Sequence, residues 1–188
     1  MNRNWAALPD AQSPKPGVVS SRTWASACRC SLLGNPGTGK TTVARLYAKF
    51  LTLVGVIAGT QFVETTGATV ANKGVAGCKK LLDDILNKGG GVVFIDEAYQ
   101  LTSGNSVGSG VVLDFILPKV ENLTGKVVFV LAGYNRKIES FFSYNLGLPS
   151  RFLTDLRFTD YTDNELLRIL ELKINSRYSK RIKVEDRL

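Results

Sequence analysis

The stretch Gly34-Asn35-Pro36-Gly37-Thr38-Gly39-Lys40-Thr41 constrains this chain more than any other. It reads G-x-x-x-x-G-K-T, the Walker A pattern. Glycines at 34, 37 and 39 let the backbone turn tightly and bring its N–H groups against phosphate oxygens. A helix starting near Lys40 would point its positive dipole end at the same anion. Lys40 can reach the β- and γ-phosphates of a nucleotide, and the Thr41 hydroxyl can ligate Mg²⁺. With Thr42 at its end, Gly34 to Thr42 is the candidate nucleotide-binding segment. The flanks fit. Cys30-Ser31-Leu32-Leu33 precedes it, and afterwards Val43, Leu46, Tyr47, Phe50 and Leu51 recur at the spacing of a helix's buried face. A chance glycine-rich turn is the alternative, and these flanks argue against it.

A second motif follows downstream. Val92-Val93-Phe94-Ile95 reads as a strand buried on both faces, and Asp96-Glu97 closes it. Carboxylates at the C-terminal end of such a strand sit where ligands bind in open α/β sheets. Asp96 is expected to hold Mg²⁺, mostly through water. Glu97 is expected to polarise the attacking water as a general base. Solvated acids ending a strand are the plainer reading, and the phosphate loop upstream argues against it. Lys126 to Ala132 is another buried strand, ending in Gly133-Tyr134-Asn135. Asn135 is the candidate to orient the lytic water or touch the γ-phosphate. A turn-forming Asn is the alternative.

The rest of the chain alternates strand and helix, so a parallel sheet covered on both faces is expected. Residues 1–26, rich in Pro and Ser, read as a disordered extension. Residues 27–33 must supply the strand that feeds the phosphate loop, although Arg29 and Ser31 suit a central strand poorly. Gln61–Glu64 reads as a strand, residues 65–74 as a polar loop, and residues 75–88 as a helix ended by Gly89-Gly90-Gly91. Residues 101–110 read as a Gly/Ser loop. The helix over 111–123 contains Pro118, which predicts a kink or break near Leu117. A short helix over 138–144, a turn over 145–149 and a last strand near 156–158 follow. Thr162-Asp163-Asn164-Glu165 is a capping box opening a helix with an apolar face that finds little to bury against. The resulting division is an extension (1–26), a nucleotide-binding core (27–160) and a final helical segment (161–188).

Composition narrows the alternatives. The chain has 188 residues, 44% hydrophobic and 21% charged, as in ordinary globular proteins. No apolar run approaches the roughly 18 residues of a membrane span, so no membrane partner is expected. Histidine is absent, which removes histidine catalysis and histidine metal sites. Three cysteines make no disulfide framework. They point to an intracellular compartment, the cytoplasm first, with nucleus or organelle left open. The formal charge of +8 is spread along the chain and clusters loosely only at Arg177, Lys180, Arg181 and Lys183. A solvated basic face is expected over nucleic-acid binding.

The ordered set of motifs resembles an AAA+ ATPase, with a P-loop NTPase three-layer α/β sandwich around a five-stranded parallel sheet. Gly34–Lys40, Val93–Tyr99 (VFIDEAY), Leu131–Tyr134 (LAGY) and Ser150–Phe152 (SRF) are similar to the CbxX/CfqX family of red-type Rubisco activases and fungal AAA modules. The resemblance covers roughly residues 31–175 and implies that 161–188 is the start of an incomplete helical lid. It implies ATP and Mg²⁺ as cofactors, a homo-oligomeric ring (usually a hexamer) and an unknown protein substrate. It makes Arg151 the arginine finger, reaching the γ-phosphate of an adjacent protomer; a helix-capping surface Arg is the alternative. The positions corresponding to a translocase's pore aromatic, near Lys73, Gly74 and Val75, hold no aromatic. The expected activity is hydrolysis of ATP to ADP and phosphate. The alternatives are a nucleotide-dependent binding or scaffold module and, less favoured by the Asp-Glu pair, a kinase.

Overall fold

The computed structural model describes residues 28–102 and 109–178. The extension 1–26, most of the 101–110 loop and the basic end beyond Tyr178 lie outside the described residues. Twelve elements follow in order: β1 (Cys30–Leu33), α1 (Lys40–Leu53), β2 (Gln61–Thr66), α2 (Gly67–Asn87), β3 (Gly91–Asp96), a 3₁₀ turn (Ala98–Leu101), α3 (Ser109–Asn122), β4 (Val127–Gly133), α4 (Asn135–Tyr144), α5 (Gly147–Arg151), β5 (Thr154–Arg157) and α6 (Asp163–Tyr178).

Among the described residues the five strands form one sheet in the order β2-β3-β4-β1-β5. Every pairing is parallel. Parallel strands need crossover connections, and helices supply them here. Side chains alternate across each strand, so each sheet face has its own core. Leu32, Val92, Phe94, Val128, Val130 and Ala132 pack against Ala44, Ala48 and Leu51 of α1, whose small alanines let it lie close to the sheet, while Leu46 and Phe50, expected on the buried face, are exposed. Leu33, Val93, Ile95, Val127, Phe129 and Leu131 pack against Val70, Leu82 and Ile85 of α2 and Val112, Leu113 and Ile116 of α3. The result is the three-layer α/β sandwich that the sequence predicts.

Several local expectations are corrected. Residues 65–74 are not a loop. Thr65 and Thr66 finish β2, and α2 begins at Gly67. The Thr66 hydroxyl accepts from Thr69 N–H at 3.1 Å, which caps the helix, and Val70 is buried in the core. The interruption is at Gly74, whose φ of 63° and ψ of −171° break the helical path. Helix α3 runs through Pro118 without a break. Pro118 and Asp114 both face solvent, so water can take the Asp114 carbonyl that proline leaves without a donor. Meanwhile Val112, Leu113, Ile116, Leu117 and Val120 hold the other face in the core. Leu101 closes the 3₁₀ turn, Ser109 and Gly110 already belong to α3, and the 145–149 turn gives way to α5 from Gly147.

The weak first strand forms because it is central. Cys30–Leu33 pairs with β4 on one side and β5 on the other, and tertiary pairing overrides propensity. Arg29 lies just before the strand rather than in it, and Ser31 is fully buried. The capping box forms as expected: Thr162 N–H donates to Glu165 Oε2 at 2.8 Å. That bond and the one from the Thr162 hydroxyl hold the Glu165 carboxyl below its ordinary range. Leu166 and Leu170 of α6 remain half exposed.

Phe94 is fully buried and stacks on Phe62 at 6.0 Å. Phe94→Ala is therefore expected to cost about 3–5 kcal/mol, read as a lowered denaturation midpoint in urea. A cost below about 1 kcal/mol would mean the α1 face of the sheet is not a packed core.

Candidate active site

The phosphate loop joins β1 to α1 at the C-terminal edge of the sheet. Gly34 N–H donates to Gly133 O at 3.1 Å, so the loop starts against the end of β4. Gly37 and Gly39 have φ of 80° and 93°, backbone conformations that L side chains rarely adopt. A Cβ built at Gly37 would meet nothing within 4 Å, so the loop's crest is open space. At Gly34 a Cβ would lie 2.7 Å from the Phe158 carbonyl oxygen, so only glycine fits.

Lys40 opens α1 and is 8% exposed. Its Nζ donates to Gly34 O at 2.9 Å and to Asn35 O at 2.7 Å. An ammonium has three donors, so one remains for a ligand. Burial lowers the Lys40 pKa, and the nearby negative charges of Asp96 and Glu97 oppose that shift. These three charges therefore share one site. Thr38 Oγ1 donates to Asn35 O at 2.8 Å, which tightens the turn. Thr41 and Thr42 follow in the first turn of α1.

Asp96 ends β3, and its Oδ1 accepts from Glu97 N–H at 2.9 Å. Among the described residues Glu97 is the one non-glycine with positive φ (48°). Such backbone costs on the order of 1–3 kcal/mol and clusters at functional sites. Tyr99 Oη donates to Glu97 Oε1 at 3.1 Å, and Gln100 Nε2 donates to Oε2 at 2.8 Å. Burial pushes the Tyr99 hydroxyl up to about 12, and its bond to Glu97 adds to that shift.

Asn135 is exposed as the first residue of α4, just past the end of β4. Since β4 lies between β1 and β3, Asn135 sits at the same sheet edge as the loop and Asp96. Arg151 does not. It ends α5 before β5, whose first residue pairs with Cys30 at the start of β1. Arg151 is thus at the opposite end of the strands from its own phosphate loop. Its Nη1 donates to Gly147 O at 2.9 Å, and its Nη2 pairs with Glu121 Oε2 at 3.2 Å.

Spacing alone did not reveal four further contributors. Asn35 Nδ2 donates to both Asp160 carboxylate oxygens, at 3.0 and 2.9 Å. Tyr161 Oη donates to Thr38 O at 3.1 Å. These residues stand over 120 positions from the loop, so no local pattern pairs them with it. Tyr99 and Gln100 follow Glu97 closely, but only the 3₁₀ turn aims them at its carboxylate.

The ATPase family associated with various cellular activities (AAA) matches residues 30–159. The chain belongs to this family. The AAA chain is 36% identical to stage V sporulation protein K of Bacillus subtilis (strain 168) over 146 residues, covering 77% of this chain and 45% of that protein. It is 38% identical to the protein CfxQ homolog of Galdieria sulphuraria, covering 74% of this chain and 47% of that one. It is 36% identical to the chloroplastic ribulose bisphosphate carboxylase/oxygenase activase of Cyanidioschyzon merolae (strain NIES-3377 / 10D), covering 86% and 55%. The AAA chain therefore spans about half the length of these curated relatives. The CbxX/CfqX resemblance read from its motifs agrees with them. Among the described residues no helix is long and apolar enough to cross a membrane.

The AAA chain's own residues fit ATP with Mg²⁺. The open glycine crest and the spare Lys40 donor suit an anion. Among the described residues no cluster of three His, Cys, Asp or Glu could hold a metal unaided. One Asp and one Thr suit Mg²⁺, which takes few protein ligands and completes its shell with phosphate and water.

Two glycine substitutions separate packing from backbone conformation. Gly34→Ala is expected to weaken ATP binding more than tenfold and to lower Tm, because its Cβ collides with Phe158 backbone. Gly37→Ala keeps open space and is expected to lose only the left-handed backbone cost of about 1–2 kcal/mol. Thermal unfolding and a nucleotide titration check both. Equal losses would show that the end of β5 yields to the loop.

Proposed function

We propose that this AAA domain binds Mg·ATP and hydrolyses it to ADP and phosphate, as a ring oligomer that remodels a protein partner. The observation that carries this reading is Glu97. It stands on a strained backbone within electrostatic reach of buried Lys40, with both carboxylate oxygens hydrogen-bonded. A module that only bound nucleotide would have no use for a carboxylate held there.

The roles follow from position. The backbone N–H groups from Gly34 to Thr42 cradle the phosphates, and Lys40 neutralises their charge. Thr41 and Asp96 would hold Mg²⁺, which supplies charge neutralisation on the phosphate oxygens when bound. Glu97 takes the proton of the attacking water. Asn135, exposed at the same edge, orients that water or contacts the terminal phosphate. Arg151 faces away from its own site, so its guanidinium serves a neighbour's γ-phosphate. The similarity to an activase of ribulose bisphosphate carboxylase/oxygenase, itself a protein, motivates a protein partner as substrate class. Asn35, Pro36 and Thr38 shape the loop.

A second reading is a nucleotide-dependent scaffold with little turnover. The Arg151–Glu121 pair favours it, since assembly must compete with that contact before Arg151 can act in trans.

The test is ATP turnover per chain across protein concentration. The specific rate is expected to rise with concentration and to vanish in Lys40→Ala. Glu97→Gln is expected to keep ATP bound while turnover falls at least about 10²-fold. Arg151→Ala is expected to lose about 10³-fold or more and to recover activity when mixed with Glu97→Gln chains, which still donate the finger. Tight ATP binding with negligible turnover at every concentration would establish the scaffold instead.

A further inference from the structure

The Glu97 carboxylate is tied to a second element of the fold by one side chain. Gln100 Nε2 donates to Glu97 Oε2 at 2.8 Å, while Gln100 Oε1 accepts from Ala68 N–H at 3.1 Å. Ala68 lies in the first turn of α2. The partners settle which way round the amide lies. A backbone N–H can only donate, and an ionised carboxylate can only accept. The contact is close throughout. A Cβ at Gly67 would fall 2.5 Å from the Glu97 carbonyl oxygen and 3.1 Å from Gln100 Cβ. The start of α2 therefore rests directly on the strained turn that carries Glu97.

We infer that Gln100 is the positioning residue for Glu97, spanning from the first turn of α2 to the carboxylate and so fixing the direction in which Glu97 meets its water. The inference rests on the reading of Glu97 as the base. A glutamate has three side-chain torsions, and Tyr99 Oη at 3.1 Å restrains only one of its oxygens. With the Gln100 bond removed, Oε2 can swing away while ATP binding, which Glu97 does not provide, stays intact. Because the far end of the amide sits on a backbone N–H of α2, any shift in that first turn reaches the carboxylate. Ordinary spacing rules would treat a glutamine here as a solvated turn residue. Its half-buried place between two elements sets it apart.

The test uses steady-state ATP hydrolysis, nucleotide titration and thermal unfolding on the whole chain with three substitutions. Gln100→Met keeps the length and removes both bonds. Gln100→Glu keeps an acceptor for Ala68 N–H but sets a second anion against Glu97. Glu97→Gln reports the base itself. Gln100→Met is expected to lower kcat by about 10–100-fold with the ATP KM unchanged within about twofold. Gln100→Glu is expected to lose at least as much kcat while keeping more of the wild-type Tm. In a Glu97→Gln background, Gln100→Met is expected to lower turnover no further, the mark of two residues acting as a unit. Wild-type kcat in Gln100→Glu beside a loss in Gln100→Met would overturn the inference, because the amide would then serve α2 alone. So would a rise in kcat in either variant, which would mean the bond holds Glu97 away from water. Full turnover in Glu97→Gln would overturn the reading of the base itself, whatever the Gln100 variants do.

Discussion

Parallel pairing of β1 on both sides holds this site together. Leu33 stands opposite Gly133 of β4 and Arg157 of β5, and the chain turns into the phosphate loop at the next residue. Gly34 N–H bonds to Gly133 O, and Phe158 N–H bonds to Leu33 O at 2.7 Å. Three strand ends thus meet at one glycine. Nothing larger fits between β1 and Phe158. The strand is only four residues long, but a central parallel strand draws on ladders from two neighbours. That is why it tolerates a fully buried Ser31 where a Val or Ile would pack better.

The same geometry sorts the charged groups. All five strands point one way, so every strand's C-terminus is at one edge, where Lys40, Asp96, Glu97 and Asn135 collect. Asp160 and Tyr161, carried past the end of β5, close over the loop from the other side. Arg151 precedes β5 and lands at the far edge, engaged with Glu121. An arginine there cannot complete its own site. The proposal that it serves a neighbouring chain rests on that placement.

Much of the fold and site was legible because it rests on local pattern. The glycine loop, the run of buried residues ending in Asp96-Glu97, and the Thr162–Glu165 capping box each fit within a few positions. The capping-box bond formed as expected. The errors have physical causes. Thr65 to Gly74 looked like a loop because half of its residues are polar and glycine stands at 67 and 74. Yet the Thr66 hydroxyl caps a helix start there, and Val70 anchors that helix in the core. Pro118 looked like a break because proline loses a helical bond. It lies on the solvent face, where water can replace the lost donor. The Asn35–Asp160 and Tyr161–Thr38 contacts had no local signal at all, since they join segments far apart in the chain.

The sequence by itself determined the alternation of strand and helix, the two-faced burial of the sheet and the identity of the phosphate-binding and carboxylate motifs. Each is encoded by residue type at short spacing. Only the tertiary structure decided which groups share the edge, that Arg151 lies away from it, and that Glu97 is held through Gln100 to α2. These depend on strand order and close approach. No short-range pattern states where Gly67 meets Glu97 or which end of the sheet an arginine reaches.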